Sequence, residues 1–182
     1  PVAMKVMSND ISHKSDAGGV RLNINSATEV RGAYNPLIRQ VQTHAPKARI
    51  DGITVEKMYR SANGRELMIG IIKDPVFGPV ISFGSGGLGV EVMGDSAISL
   101  PPLNHQLAQD LVRRTRVSKL LGKFRNMPAA DPEKLIESLL SVSTMACELP
   151  WIQEMDINPI IADEHGLLAV DARIRVDYPK PS

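Results

Sequence analysis

Hydrophobic residues in this chain alternate with polar ones at the two-residue period of strands, and shift to helical spacing in three longer stretches. Val2 to Met7 is an apolar run interrupted by Lys5, and Val20 to Asn25 alternates. Both are expected strands, separated by a polar loop, Ser12 to Gly19, that ends in two glycines. From Thr28 to His44, Val30, Ala33, Leu37, Ile38 and Val41 recur on one helical face. Pro36 is expected to kink or reset that helix, and Pro46 follows its end. Ile50 to Met58 reads as a strand with Glu56 near its end, and Ser61 to Gly64 as a turn. Arg65 to Lys73 and Gly78 to Phe83 are expected to pair across Asp74-Pro75. Val90 to Met93 and Ala97 to Leu100 are shorter strand candidates. The second half turns helical: Asn104 caps a helix to about Arg114, and Ser118 to Gly122 makes a shorter piece. Asp131-Pro132-Glu133 combines a capping side chain, a proline at the first helical position and an acid, so a helix runs from there to about Glu148. A mixed sheet followed by helices and a final hairpin indicates an α+β fold.

That hairpin carries the most chemistry. Asp156-Ile157-Asn158-Pro159-Ile160-Ile161-Ala162 and Leu167-Leu168-Ala169-Val170-Asp171-Ala172-Arg173 flank the turn Asp163-Glu164-His165-Gly166. A turn on residues 163 to 166 pairs Ala162 with Leu167 and sets Asn158 opposite Asp171. Strict alternation then puts Asp156, Asn158, Asp171 and Arg173 on one face. Met155, Ile157, Ile161, Leu168, Val170, Ala172 and Ile174 take the other. Two carboxylates and an amide oxygen are hard ligands that suit Mg²⁺, which leaves its other positions to water and phosphates. A solvated polar face gives the same pattern, and the pattern alone leaves both readings open.

Composition narrows the class. A chain of 182 residues can bury a core as one domain or two small lobes. With 21 basic and 20 acidic residues, nothing in the net charge of +1 favours nucleic-acid or membrane partners. No apolar run is long enough to span a bilayer, and no signal peptide is expected from the residues given. The single Cys147 excludes an internal disulfide and fits a cytoplasmic, reducing compartment. It is expected to be a buried structural thiol beside Leu139, Leu140 and Val142. The start at Pro1, already inside a strand-like run, reads as an excised piece of a longer protein.

Other candidates are weaker singly. Gly84-Ser85-Gly86-Gly87-Leu88-Gly89 matches a dinucleotide-binding fingerprint in letters, but the β-branched run Val90-Glu91-Val92-Met93 follows where a helix is required. Lys5 is a lone cation in an apolar strand and is costly to bury without a partner: a phosphate, a carboxylate such as Asp16 or an exposed edge position would each account for it. His13, in the first loop, could accept a phosphoryl group or be an ordinary surface residue. Glu66 could accept hydrogen bonds from a sugar hydroxyl or be a solvated strand end.

The order of these features resembles the ATP-grasp fold, and more closely the ATP-grasp domain of the NDP-forming acyl-CoA synthetases. Val2-Ala3-Met4-Lys5-Val6, Ile11 to Val20, Gly64-Arg65-Glu66-Leu67, Phe77 to Gly84, Asp156-Ile157-Asn158-Pro159 and Val170-Asp171-Ala172-Arg173 carry the likeness. It implies an α+β domain of two lobes with a nucleotide cleft between them, residues 1–56 in an incomplete first lobe and 59–182 in the second. It implies ATP and Mg²⁺ as cofactors. Lys5 and the loop with Gly18 and Gly19 would lie at the phosphates, and Glu56, Lys57 and Met58 would hold adenine. Glu66 would hold the ribose, Asp156, Asn158 and Asp171 would ligate Mg²⁺, and His13 would carry a phosphoryl group. The implied parent is an ADP-forming acetyl-CoA synthetase, with CoA-binding and ligase-CoA domains in the same polypeptide or a partner subunit. The alternative is a regulatory nucleotide- or acyl-CoA-sensing region of a protein lysine acetyltransferase with a GNAT domain downstream, which Ile98 to Asn104 resembles.

Overall fold

The computed structural model describes residues 1–11, 14–87 and 94–178. The expected strand at 90–93 and His13 therefore lie outside the described residues. The chain packs as two units, Pro1–Arg60 and Ser61–Ser182.

In the first unit, β1 (Val2–Met7) lies between β2 (Val20–Ile24) and β3 (Gly52–Lys57), antiparallel to both. Four successive residues of β1, Ala3 to Val6, are buried. α1 (Ala27–His44) opens on a reciprocal cap: the Glu29 N–H donates to Ser26 Oγ at 3.1 Å, and the Glu29 carboxylate accepts the Asn25 N–H at 3.0 Å. The helix passes through Pro36 without ending. The expected reset does not occur, because Leu37 and Val41, both fully buried, anchor the half that follows. Val41 packs with Val6 and Ile11. A side chain on Gly19 would strike Val6, Val41 and the Lys14 carbonyl, so the second loop glycine is needed for close packing.

In the second unit the sheet order is β6 (Ser96–Ser99), β5 (Gly78–Ser85), β4 (Arg65–Asp74), β7 (Ile152–Asp163) and β8 (Gly166–Ala169), with β9 (Ala172–Val176) also on β7. β4 and β5 form the hairpin expected across Asp74-Pro75. Asn104 caps α2 (His105–Arg113), α3 is Ser118–Leu121, and Asp131 caps α4 (Pro132–Glu148) through the Glu133 and Lys134 amides. Leu67, Ile69 and Ile71 of β4, Ile81 and Phe83 of β5, and Met155, Ile160 and Ala162 of β7 form one core with Leu111 of α2 and Leu135, Leu139, Val142 and Ala146 of α4. Residues 135, 139, 142 and 146 follow the helical repeat; residue 147 does not, and Cys147 is exposed rather than buried. No helix among the described residues is long and apolar enough to cross a membrane.

The final hairpin has the expected register: Ala162 pairs with Leu167, Ile157 with Ala172, and the Asn158 N–H donates to the Asp171 carbonyl at 3.1 Å. Its faces differ from strict alternation. Leu67 pairs with Ile160 but Ile69 pairs with Ile157, so β7 carries one extra residue against β4. Past that bulge Ile160 and Ala162 turn into the core, and Ile161 is only half-buried opposite Glu66.

Arg65, 6% exposed, holds the irregular chain between α2 and α4. Its Nε donates to the Leu120 carbonyl at 2.9 Å, Nη1 to Asn63 at 2.6 Å, and Nη2 to Pro128 at 2.6 Å and Gly122 at 3.4 Å. Replacement by methionine keeps the length and orphans these carbonyls. Arg65→Met is expected to lower stability by about 3 kcal/mol in urea denaturation; a change under about 0.5 kcal/mol, the surface-substitution range, would remove the clamp from the account.

Candidate functional site

Three pieces of backbone meet at one end of β4. Glu66 is the second residue of that strand, and its carbonyl accepts the Gly86 N–H at 2.8 Å just past the end of β5. Gly87 follows with φ +60°, and its N–H donates to Asn158 Oδ1 at 2.8 Å. A Cβ on Gly87 would fall on the Glu66 carboxylate, so only glycine suits both the backbone conformation and the contact. Asn158 occupies the β7 bulge, and its own N–H reaches the Asp171 carbonyl. Asp171 lies between β8 and β9, where the ladder on β7 is interrupted.

Asp156 pairs with Gly70 on one side and Arg173 on the other, on the face opposite the core residues Ile69 and Ile71. Glu66 lies on that same face of β4. Arg173 and Arg175 both approach Glu154, at 3.8 and 3.3 Å. Asp156, Asn158 and Asp171 thus fall on neighbouring register positions. Their donor set, two carboxylates and an amide oxygen with a second lone pair beyond its bond to Gly87, fits a hard divalent cation that keeps several outside ligands. Among the described residues no three His, Cys, Asp or Glu side chains converge as a metal cage, so such an ion would rest on two acids and the amide.

The other expected site residues belong to the first unit. Lys5 is buried, and its Nζ lies 2.8 Å from Glu56 Oε2, whose side chain is 45% exposed. Thr54 Oγ1 donates to the other Glu56 oxygen at 2.9 Å. The hydrogen bond from Lys5 holds the Glu56 carboxyl below the usual glutamate range. Glu56, nearly opposite Lys5 across β1 and β3, is thus a carboxylate partner of Lys5; Asp16 was the example weighed from sequence. Gly18 and Gly19 donate their N–H groups to the Ser15 and Lys14 carbonyls at 2.9 and 2.7 Å, closing the loop on itself. Met58 donates its N–H to Pro1 at 3.1 Å, while Glu56 and Lys57 pair with Ala3 and Val2. Antiparallel alternation leaves the Lys57 main-chain groups on the outer edge of β3.

Sequence reasoning missed the Gly87 bond to Asn158 and the Lys5–Glu56 pair. The signal for the first was present: Asn158-Pro159 inside a strand marks a bulge, because proline cannot donate to a ladder. No local signal marks the second.

A model of the ATP-grasp domain matches residues 1–176. The β subunit of an ADP-forming acetate–CoA ligase I from Pyrococcus furiosus is 38% identical over 174 residues, covering 96% of this chain and 74% of that subunit. The ADP-forming acetate–CoA ligase I of Archaeoglobus fulgidus is also 38% identical over 174 residues, but the chain spans only 25% of its length. Among solved structures, the dinucleotide-forming acetyl-coenzyme A synthetase 1 of Ca. Korarchaeum cryptofilum, in complex with coenzyme A, Ca-AMPCP and HgCl⁺, superposes with a TM-score of 0.89 at 40% identity, covering 97% of this chain and 76% of that one. Another structure of that synthetase holds coenzyme A and Mg-AMPPCP, with a phosphohistidine segment pointing towards the nucleotide site; its TM-score is 0.80 at 37% identity over the same shares.

The Lys5–Glu56 pair gives an acid limb with a defined sign. A carboxyl whose pKa is lowered by folding adds stability above the unfolded value of about 4.3, and loses it as pH falls through the folded value. Glu56→Gln is expected to flatten the loss of stability below that pH and to cost about 1 kcal/mol at neutral pH, discounted because Glu56 is half-exposed. Thermal melts of both proteins from neutral to acid pH check this; parallel curves would remove the pair as a source of pH dependence.

Proposed function

The chain belongs to the ATP-grasp domain family, and from that premise we propose that it binds Mg-ATP as the nucleotide-binding domain of an ADP-forming acyl-CoA synthetase, with acetate as the leading acid. One observation carries the reading: Glu66, Gly87, Asn158 and Asp171 are drawn to one end of the second unit's sheet by backbone and side-chain bonds. Nothing in core packing requires an exposed carboxylate to lie against a left-handed glycine there.

In this reading Asp156, Asn158 and Asp171 hold Mg²⁺, which supplies charge neutralisation at the phosphates. Asn158 is preset by the Gly87 N–H, so its oxygen needs little reorganisation on binding. Glu66 accepts from ribose hydroxyls. Lys5 provides a desolvated cation for phosphate oxygens, and Gly18 and Gly19 shape the loop beside it rather than offering their own amides. Of the adenine-holding segment Glu56 to Met58, Lys57 has the outward main chain. A ring nitrogen of His13 attacks the terminal phosphorus; the bond to the bridging oxygen breaks and ADP leaves. The phosphoryl group then passes to an acyl partner bound by CoA-binding and ligase-CoA domains of the same polypeptide or a partner subunit. Rate enhancement in such transfers comes from positioning and charge stabilisation.

Calorimetric titration of ATP into the 182-residue chain, with and without Mg²⁺, tests the proposal. Binding is expected to require Mg²⁺ and to weaken by about tenfold or more in Asp171→Ala, the loss usual for altered metal-site residues. Equal affinity in the variant, or binding indifferent to Mg²⁺, would take the metal off the hairpin.

A further inference from the structure

The stretch from Arg113 to Arg125 is set apart by its charge. It holds Arg113, Arg114, Arg116, Lys119, Lys123 and Arg125 and no acidic residue. Six of the chain's 21 cations lie here, so the remainder, 15 cations against 20 acids, is acidic. All six residues are exposed; Arg113 pairs with Asp110 at 2.8 Å and Arg114 donates to the Ile98 carbonyl at 2.6 Å, so the surface rests on Arg116, Lys119, Lys123 and Arg125.

Such a run of like charges in a loop would ordinarily spread into solvent. Here its backbone is fixed by two buried charges. Asp95, 8% exposed, accepts the Arg116 and Val117 N–H groups at 2.6 Å each, one on each carboxylate oxygen. Arg65 grips the Leu120, Gly122 and Pro128 carbonyls from below. Phe124 and Met127 exchange backbone bonds at 3.1 and 2.9 Å, and the Ala130 N–H returns to Leu121 at 2.8 Å. Only four residues of the stretch, Ser118–Leu121, continue as regular helix beyond α2, so these bonds set its shape.

We propose that this segment is a docking surface for an acidic segment of a protein partner. Charge complementarity selects an anion, and the apolar content selects a protein. Leu120 and Phe124, 50% and 49% exposed, stand among the cations, and the Arg125 guanidinium lies 5.2 Å from the Phe124 ring centroid. An exposed aromatic beside arginines, rimmed by charge, has the make-up of a protein interface. Single-stranded nucleic acid would call for a row of stacking rings, and this surface has one. A membrane surface would call for a long amphipathic helix, and α3 has four residues. The Asp95 carbonyl also accepts the Ser85 N–H at 3.0 Å. The surface is therefore tied to the end of β5, two residues before the glycine that orients Asn158.

The test uses the 182-residue chain and three probes: a short peptide alternating glutamate and leucine, an oligodeoxynucleotide of the same charge, and phosphatidylserine vesicles. The peptide is expected to bind most tightly. Its affinity should fall by about tenfold or more in Lys119→Glu/Lys123→Glu/Arg125→Glu, and by less than about twofold in the control Arg31→Glu/Arg39→Glu/Lys47→Glu on exposed positions of the first unit. Phe124→Ala should weaken the leucine-containing peptide but not a leucine-free polyglutamate. Circular dichroism melts verify that each variant is folded, and the Phe124→Ala arm stands if charge reversal unfolds the chain. Absent peptide binding, equal loss in both triple variants, indifference to Phe124→Ala, or tighter binding of DNA or vesicles would each overturn the proposal.

Discussion

β7 must serve two neighbours that count differently. Against β8 and β9 it runs in one register over nearly its whole length; against β4 it carries an extra residue between the Leu67–Ile160 and Ile69–Ile157 pairs. Without that residue, either Met155 or Ile160 would face away from the core, since a one-residue slip turns every later side chain over. The surplus falls on Asn158-Pro159. Proline has no N–H to give the ladder, and the freed asparagine carries its amide to Gly87. On the other side the irregularity is absorbed where β8 ends and β9 begins: Asn158 donates to Asp171, and Val170 donates to Pro159 at 3.0 Å. One constraint thus places the core of the second unit and the donor cluster at its edge.

Most elements were legible in the sequence because each rests on local chemistry. Asp131-Pro132-Glu133 and Asn104 start helices by capping, Asp74-Pro75 turns a hairpin, and Gly166 closes the last one. The errors share a cause: local pattern does not see what lies above it. Alternation put Ile161 on the oily face, whereas pairing with β4 put Ile160 there. A breaker rule made Pro36 a kink or reset inside α1, yet the helix runs through it, and burial of Leu37 and Val41 outweighs one missing hydrogen bond. Cys147 was grouped with Leu139 and Val142, but it sits a helical step past Ala146 and points out. Within the candidate site, the Asn158–Asp171 apposition was legible because hairpin register follows from the turn. Gly87 was not, since its contact spans 71 positions of sequence.

The second unit uses buried charge to organise chain rather than to fill a core. Arg65 and Asp95 meet mostly carbonyls and amides, so each substitutes for secondary structure in a stretch that has little of it. An ion buried this way is stable only while every partner is in place, because stripping it of water is costly. Asp95 and Arg65 together fix the backbone at residues 116, 117, 120, 122 and 128, which suits the proposed docking surface.

Lys5 follows a different logic. Its amine has already lost most of its water, and a carboxylate it contacts, Glu56, remains half in solvent. Desolvating an ammonium is the larger part of the cost of burying it, and folding has met that cost. A phosphate oxygen reaching Lys5 would exchange one anion for another, releasing a carboxylate that can return to water with little penalty. In the proposed function the pair lowers the cost of nucleotide binding in proportion to the exposure of Glu56. A fully buried partner would have stabilised the fold more and resisted that exchange.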